Sequence, residues 1–118
     1  MLEVKDKHVL EMLISHSYDL RLVEILLAVA EKTGKQLVIT SGFRQGSPGV
    51  HGTIPCRGLD LRSWVYPEPE KLVQWINDRY QYDPNRPEKQ CALLHDIGQG
   101  RHIHLQTHPN TRRLTEEA

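Results

Sequence analysis

The 118-residue sequence has no net charge and no long apolar run. Its 15 basic side chains balance 15 acidic ones, so no overall electric field attracts nucleic acid or an anionic membrane. The longest apolar run, LLAVA, is far shorter than the roughly 20 residues that a membrane helix needs. We therefore expect a soluble protein that binds no nucleic acid, inserts into no membrane and recognises any partner locally.

A secretion signal and a disulfide framework are also missing. The first residues, MLEVKDKHVLEMLISH, mix acids and bases where a signal would be apolar, and no small-residue cleavage site follows. Two cysteines, Cys56 and Cys91, are too few to form a disulfide scaffold, and a domain of this size does not depend on one. We expect cytoplasmic synthesis without a signal peptide, and reduced thiols.

Repeats, low-complexity tracts and linker-like stretches do not occur in the sequence. The length is that of one domain, large enough to close a modest core and too short for two. We therefore predict a single monomeric domain over residues 1–118, with residues 109–118 as a flexible tail.

Helical signals occur in three places. The strongest helix is predicted from the N-cap Asp19 to the terminator Gly34. A shorter helix around VLEMLI precedes it, and PEPEKLVQWINDRY predicts another that Pro69 opens. The helix between Asp19 and Gly34 carries an apolar stripe that should face the core. The stripe is made of Leu20, Val23, Leu27 and Ala30 and is widened by Leu22, Leu26 and Val29.

Four segments have the pattern of β-strands. They are QLVITSGFR, GLDLRSW, CALLHDIG and HIHLQ, and the last two are joined by GQGR, which suits a tight hairpin. In GLDLRSW, alternation directs Leu59 and Leu61 to the core, and Asp60 and Arg62 to the opposite face. The predicted fold is α+β, with helices packed on a small, mainly antiparallel sheet.

Candidate metal ligands lie in two segments, SPGVHGTIPCRGLDL and RHIHLQTH. The first contains His51 and Asp60, and strand alternation in the second places His102, His104 and Gln106 on one face. A catalytic zinc site takes three His, Asp or Glu ligands and leaves a fourth position open. His51, Asp60 and one of the paired histidines form such a set; the alternative is a pair of surface histidines without a role.

Three motifs in order, SGFR, His51 followed by GLD, and HIHL, resemble the zinc peptidases of the D-Ala-D-Ala carboxypeptidase and hedgehog-like superfamily, which includes phage endolysins. The resemblance spans residues 20–106. It implies one Zn²⁺ held by His51, Asp60 and His104. It also implies His102 as the general base, and Arg44 facing the substrate carbonyl.

The sequence departs from the family pattern at two points. His51 and Asp60 are nine positions apart, farther than usual, so TIPC is interpreted as a short loop insertion. Many carboxypeptidase members have a glutamate as general base three residues before the last ligand, and here that position is Arg101. His102 would then serve as the base, as in the endopeptidase branch.

Other polar and aromatic residues have less certain parts in such a site. Ser47 and Gln106 can bond to ligands or substrate, and His95 is either at the site's edge or structural. Cys56 is interpreted as a small packed residue, because a thiolate would fill the open position. The aromatic side chains of Trp64, Tyr66 and Trp75 fit a substrate platform, but core packing is the more common use.

The leading functional prediction is zinc-dependent hydrolysis of amide bonds in peptidoglycan stem peptides or cross-links. Such a minimal phage or prophage lysin would act on the cell wall after release. One alternative is a catalytically silent metal-binding module of a virion or cell wall. A more remote alternative is a histidine-triad nucleotide hydrolase, in which Gln106 would occupy the nucleophile position.

Overall fold

The computed structural model describes residues 2–34, 37–96 and 100–114. Within these ranges the α-helices are α1 (Lys7–Ser15), α2 (Leu20–Thr33) and α3 (Pro69–Arg79). The strands are β1 (Leu2–Val4), β2 (Leu37–Ser41), β3 (Gly58–Arg62), β4 (Tyr80–Gln81), β5 (Ala92–Asp96), β6 (Arg101–Gln106) and β7 (Arg112–Arg113). Short 3-10 turns cover Val50–Gly52 and Ser63–Val65.

Five strands form a mixed sheet in the order β1-β2-β3-β6-β5. β1 runs parallel to β2, whereas β2, β3, β6 and β5 pair antiparallel in succession. The predicted α+β class is confirmed, and the sheet is mixed because β1 adds a parallel edge. No helix in the described ranges is long and apolar enough to cross a membrane.

α2 begins and ends where the sequence predicts, but the residues it buries match the predicted stripe only in part. Asp19 caps it by accepting from the Leu22 backbone N–H, and Gly34 ends it with φ of 60°. The predicted stripe is wrong at Leu20 and Leu27, which are 84% and 64% exposed, and correct at Leu22 and Val29, which are buried together with Ile25. This helix is apolar around most of its circumference, so periodicity alone permits neighbouring stripes.

The other two helices also follow their sequence signals. α1 starts after Asp6, whose carboxylate accepts from the Val9 backbone N–H at 3.0 Å. α3 has Pro69 in its first turn and ends at Arg79, one residue before Tyr80 begins β4. Its buried side chains are Pro69, Leu72 and Ile76, so the predicted apolar side faces the core.

β2 and β3 are shorter than predicted, whereas β5 and β6 pair with each other as predicted. β2 stops at Ser41, and two residues later the Phe43 N–H donates to the Tyr18 hydroxyl at 3.0 Å instead of to a neighbouring strand. β3 stops at Arg62, where a 3-10 turn follows. β5 and β6 pair antiparallel, with Arg101 already in the strand. Residues 97–99, where the predicted strand ends and the predicted turn begins, lie outside the described residues.

The segment after β6 is not a flexible tail as far as residue 114. β7 pairs antiparallel with β4, and the Leu114 N–H donates to the Arg79 carbonyl at 2.7 Å. Thr111 is buried and its hydroxyl donates to the Tyr82 carbonyl at 2.7 Å. The tail prediction is therefore wrong for residues 111–114, and residues 115–118 lie outside the described residues.

The core lies between the helices and one face of the sheet. The sheet contributes fully or almost fully buried side chains, namely Ile39, Leu59, Leu61, Ile103 and Leu105. The thiols of Cys56 and Cys91 are free and buried, as expected of reduced cysteines. The opposite face of β3 and β6 carries polar residues, among them Asp60, His102 and His104.

Candidate metal centre

Strand register collects the polar residues on the face opposite the core. Asp60 of β3 lies directly across from His104 of β6, and Arg62 lies across from His102. On the other side of β6, His95 of β5 is the partner of His102. Because side chains of cross-strand partners point to the same face, one carboxylate and three imidazoles meet there.

The three predicted metal ligands form one cluster. The ligand atoms of His51, Asp60 and His104 all lie within 4.8 Å of one another. His104 Nδ1 is 2.9 Å from Asp60 Oδ1, and His51 Nε2 is 3.3 Å from the same oxygen. A loop imidazole and two strand side chains therefore converge on one point.

His51 is oriented by the backbone of the loop after β2. Its Nδ1 lies 2.6 Å from the Gly42 carbonyl oxygen, and a carbonyl can only accept, so Nδ1 carries the proton and donates. In the neutral ring, Nε2 then bears a lone pair. That nitrogen is buried and has no hydrogen-bond partner, although Asp60 Oδ1 is 3.3 Å away. A lone pair facing a carboxylate oxygen is unfavourable unless a proton or a metal cation lies between them.

His104 has the same arrangement with a different orienting group. Its Nε2 is 3.0 Å from Gln106 Oε1. The Gln106 amide is fixed in turn, because its Nε2 donates to the Gln90 carbonyl at 2.7 Å. His104 Nε2 is therefore the donor, and the lone pair of the neutral ring is on Nδ1, which faces Asp60. Such remote hydrogen bonds orient metal-binding histidines.

Asp60 is held between these imidazoles and Arg44. Its side chain is 6% exposed, and Oδ2 accepts from the Arg44 guanidinium at 3.0 Å, which leaves Oδ1 to the histidines. Burial alone would raise the pKa of this carboxyl, but hydrogen bonds from His104 and His51, with the positive charge of these rings when they are protonated, outweigh burial and hold the pKa well below its ordinary value. The carboxylate is therefore ionised at neutral pH, as a metal ligand must be.

Arg44 is at once a partner of Asp60 and part of an open cleft. Its Nε donates to the Ser41 hydroxyl at 3.0 Å, and half of its side chain is exposed. The cleft, of about 470 Å³, is lined by Arg44, Asp60 and His102 among others. Arg44, the residue predicted to face the substrate, therefore lines the cleft while its guanidinium donates to Asp60.

His102 lies beside the cluster without joining it. Its Nε2 is 3.8 Å from Asp60 Oδ1. Burial lowers the pKa of His102, and neighbouring His95, His104 and Arg44 lower it further, against the opposing charge of Asp60. The ring is thus neutral at pH 7 and able to accept a proton.

His95 and Ser47 take outer positions. The His95 ring is exposed and lies 5.4 Å from the His102 ring, between ring centres, and 6.4 Å from the His104 ring. Ser47 is in the loop before His51, where its hydroxyl accepts from the Gly49 N–H at 3.4 Å. His95 reaches the site's edge, whereas Ser47 serves the loop turn.

The loop segment TIPC, interpreted as an insertion, does not separate the two candidate ligands His51 and Asp60. The loop folds back on itself, with the Arg57 N–H donating to the Val50 carbonyl at 3.2 Å and to the Thr53 hydroxyl at 3.0 Å. Gly58 is needed at the crossing, because a Cβ there would approach Val50 Cγ2 to 2.6 Å. Cys56 is fully buried in this loop, so its interpretation as a packed residue is confirmed.

Of the three aromatic residues for which core packing is the more common use, Trp64 does not lie in the core. Tyr66 is buried, 5% exposed, as expected of a core residue, and Trp75 packs against the core. Trp64 is 74% exposed, and it lines the cleft beside Arg62. Core packing is therefore wrong for Trp64, because β3 ends at Arg62 and the 3-10 turn directs the next side chain outward.

Sequence reasoning missed the groups that orient the ligands. They are the Gly42 and Gln90 carbonyls and the Ser41 hydroxyl. Ser41 could have been found from SGFR, since β2 pairs it with Asp60 across a bulge at Thr40. Backbone carbonyls carry no residue signature.

No protein family, curated protein or solved structure matches this chain in the comparisons. The chemistry of the cluster is therefore the basis for inferring a function.

Proposed function

We propose that His51, Asp60 and His104 bind one Zn²⁺ and that the protein hydrolyses amide bonds in peptides. The observation that carries this proposal is the pair of imidazole nitrogens aimed at one carboxylate oxygen, with the other nitrogen of each ring committed as a donor. Without a metal, these rings must either oppose lone pairs to a buried anion or take up protons. With a cation, all three groups become ligands.

Zinc fits this donor set better than magnesium or calcium. Two imidazoles and one carboxylate, with no thiolate, form the usual set of a catalytic zinc site. Magnesium and calcium prefer oxygen ligands throughout. Three protein ligands also leave one position open, and a cavity of about 210 Å³ is lined by all three of these residues.

The protein's own residues can perform the remaining steps of hydrolysis. Bound zinc supplies a Lewis acid that makes water nucleophilic near neutral pH. His102 takes the proton from the attacking water as its oxygen bonds to the carbonyl carbon. Arg44 stabilises the negative charge that develops on the carbonyl oxygen. His102 then returns the proton to the nitrogen as the C–N bond breaks, giving a carboxylate and an amine.

Peptidoglycan stem peptides or cross-links are the proposed substrate class. The support is the resemblance of SGFR, His51 with GLD, and HIHL to zinc peptidases that act on such peptides. The position of Arg44 beside Asp60 is compatible with the role that the resemblance implies. On this proposal the protein is a lysin-type domain.

A metal-binding module without turnover is the second candidate. Arg101 supports it, because this residue occupies the position of the glutamate base in many carboxypeptidases. Its guanidinium is bonded to Glu70 at 3.1 Å and can accept no proton. The module and the enzyme differ only in whether His102 acts as the base.

Cell-wall clearing by zinc-loaded protein tests the proposal. We expect wild-type protein to clear purified peptidoglycan, and His102→Ala to bind one zinc while clearing about 10² to 10⁴ times more slowly. His8→Ala is the matched control, because His8 is an exposed histidine on α1. Clearing that survives His102→Ala removes the proposed base. Zinc binding with no clearing by any variant favours the module.

A further inference from the structure

The cleft beside the metal centre is strongly cationic in a chain without net charge. Four basic side chains line it, namely Lys5, Arg44, Arg62 and Arg101. The acidic side chain in its lining is Asp60, which already contacts Arg44 and two histidines. Because the whole sequence balances 15 bases with 15 acids, this concentration is local.

Two of these four charges have no acidic partner within the described residues. Arg44 is paired with Asp60, and Arg101 is paired with Glu70 in an exposed contact. Neither Lys5 nor Arg62 forms an ion pair in residues 2–34, 37–96 and 100–114. Arg62 is half-buried as a whole residue, and it lines the cleft. A guanidinium that faces a cleft without a carboxylate partner favours an anionic ligand.

Arg62 is held in place by an exposed aromatic ring. Its guanidinium carbon lies 4.8 Å from the centre of the Trp64 ring, in cation–π geometry. Trp64 keeps 74% of its surface exposed and lines the same cleft. The pair therefore offers a ligand a fixed guanidinium fork next to a flat apolar surface.

The spacing of Asp60 and Arg62 along β3 shows how far the Arg62–Trp64 pair lies from the proposed metal. Arg62 is two residues after Asp60 on the same face of the strand, so their Cα atoms are about 7 Å apart. An extended peptide advances about 3.5 Å per residue. A group bound by Arg62 would therefore lie within about two residues of an amide bond positioned at the metal.

We propose that Arg62, assisted by Lys5 and Trp64, binds a carboxylate of the substrate, so that the protein acts on acidic peptides with a carboxylate near the cleaved bond. This inference rests on the proposed amide hydrolysis and narrows its substrate class. A guanidinium fork matches a carboxylate bidentately, and Trp64 packs on the adjoining aliphatic carbons. Two unpaired cations and one ring suit one or two carboxylates better than a nucleic-acid backbone, which needs a longer basic surface.

Binding of two matched peptides tests the inference. The probes are N-acetyl-Ala-Glu-amide and N-acetyl-Ala-Gln-amide, titrated into zinc-loaded protein and followed by the NMR signals of the Trp64 indole and the Arg62 guanidinium. We expect the Glu peptide to bind about tenfold more tightly, because a charge-assisted hydrogen bond replaces a neutral one. The difference should shrink at high salt.

Variants separate Arg62 from a general effect of charge. Arg62→Gln should abolish the preference for the Glu peptide. Arg79→Gln is the matched control, because Arg79 also stacks on a tryptophan, 4.2 Å from the Trp75 ring centre, but is not among the residues lining the cleft. It should leave the preference unchanged.

Three results would overturn the inference. They are equal binding of the two peptides, a preference that survives Arg62→Gln, and displacement of the Glu peptide by inorganic phosphate at far lower concentration than by acetate. Binding needs no turnover, so the preference can be observed even if peptidoglycan clearing fails. Conversely, clearing with no preference for acidic probes leaves the proposed hydrolysis and removes only this inference.

Discussion

The two faces of β3 and β6 are built from alternate residues of the same strands and differ in what orders them. On the face toward the helices, Leu61 and Ile103 are fully buried. On the opposite face, Asp60 and His104 are held by hydrogen bonds of defined direction. The first face depends on buried apolar area, which has no direction, whereas the second depends on where lone pairs point.

This difference separates stability from chemistry within one strand. Apolar burial contributes about 25 cal/mol for each Å² removed from water, whichever atoms cover it. A buried carboxylate and buried imidazoles cost free energy unless they are paired, so the polar face is maintained for its ligand geometry. Substitutions at adjacent residues of β3 should therefore have opposite consequences.

The largest expected effect is that of Asp60→Asn on zinc affinity. Zinc bound by protein ligands gains about 10 to 16 kcal/mol in total, so losing the one charged ligand should cost roughly 4 kcal/mol, or about a thousandfold in affinity. The metal-free variant should keep the wild-type fold. Isothermal titration measures the affinity, with the exposed Asp78→Asn on α3 as the control. Wild-type affinity in Asp60→Asn would remove Asp60 from the metal centre.

The next residue should show the reverse pattern. Leu61→Ala removes a fully buried side chain, and the resulting cavity should lower the free energy of unfolding by about 2 to 5 kcal/mol. Because Leu61 points away from the cluster, the folded variant should bind zinc as wild type does. Urea unfolding and zinc titration of the same sample check both halves. A large loss of zinc affinity in folded protein would contradict the separation of the two faces.

A smaller effect is expected at the group that orients His104. Gln106→Leu removes the acceptor for His104 Nε2 and the donor to the Gln90 carbonyl. Loss of such an orienting partner usually weakens metal affinity 10- to 100-fold, so we expect about that factor. Gln74→Leu on the exposed side of α3 is a matched control. Unchanged affinity in Gln106→Leu would mean that His104 needs no amide to fix its tautomer.

The smallest effect concerns the helical layer behind the core face. Leu27 is 64% exposed on α2 although it belongs to the stripe predicted from the sequence. Leu27→Ala should change the free energy of unfolding by less than about 0.5 kcal/mol, as surface substitutions do. Ile25→Ala, at a fully buried position, should cost about 2 to 5 kcal/mol. Thermal or urea unfolding compares the two, and similar losses would contradict the stripe of Leu22, Ile25 and Val29.

The sequence predicts which side chains of β3 and β6 share the polar face because strand alternation is a local property, whereas the choice of His51 and His104 as ligands rests on the family resemblance. Leu59 and Leu61 alternate with Asp60, and Ile103 and Leu105 alternate with His102 and His104, so the two faces can be read without a structure. The caps of α2 are predictable for the same reason, since Asp19 and Gly34 bond within their own turns.

Features that depend on distant contacts were not predictable. Which stripe of α2 faces the core is decided by packing against the sheet, and the sequence allows more than one. The strand after Thr111 forms only because β4, about 30 residues earlier, offers an edge. The carbonyls of Gly42 and Gln90 orient the histidine rings through the backbone, and any residue type supplies a carbonyl.

Anomalous diffraction at the zinc absorption edge, from crystals of the zinc-loaded protein, tests the central claim most directly. The predicted result is one peak at about 2.0 to 2.2 Å from His51 Nε2, His104 Nδ1 and an Asp60 oxygen. A peak elsewhere, or none at saturating zinc, would contradict the assignment of these three residues as a metal centre.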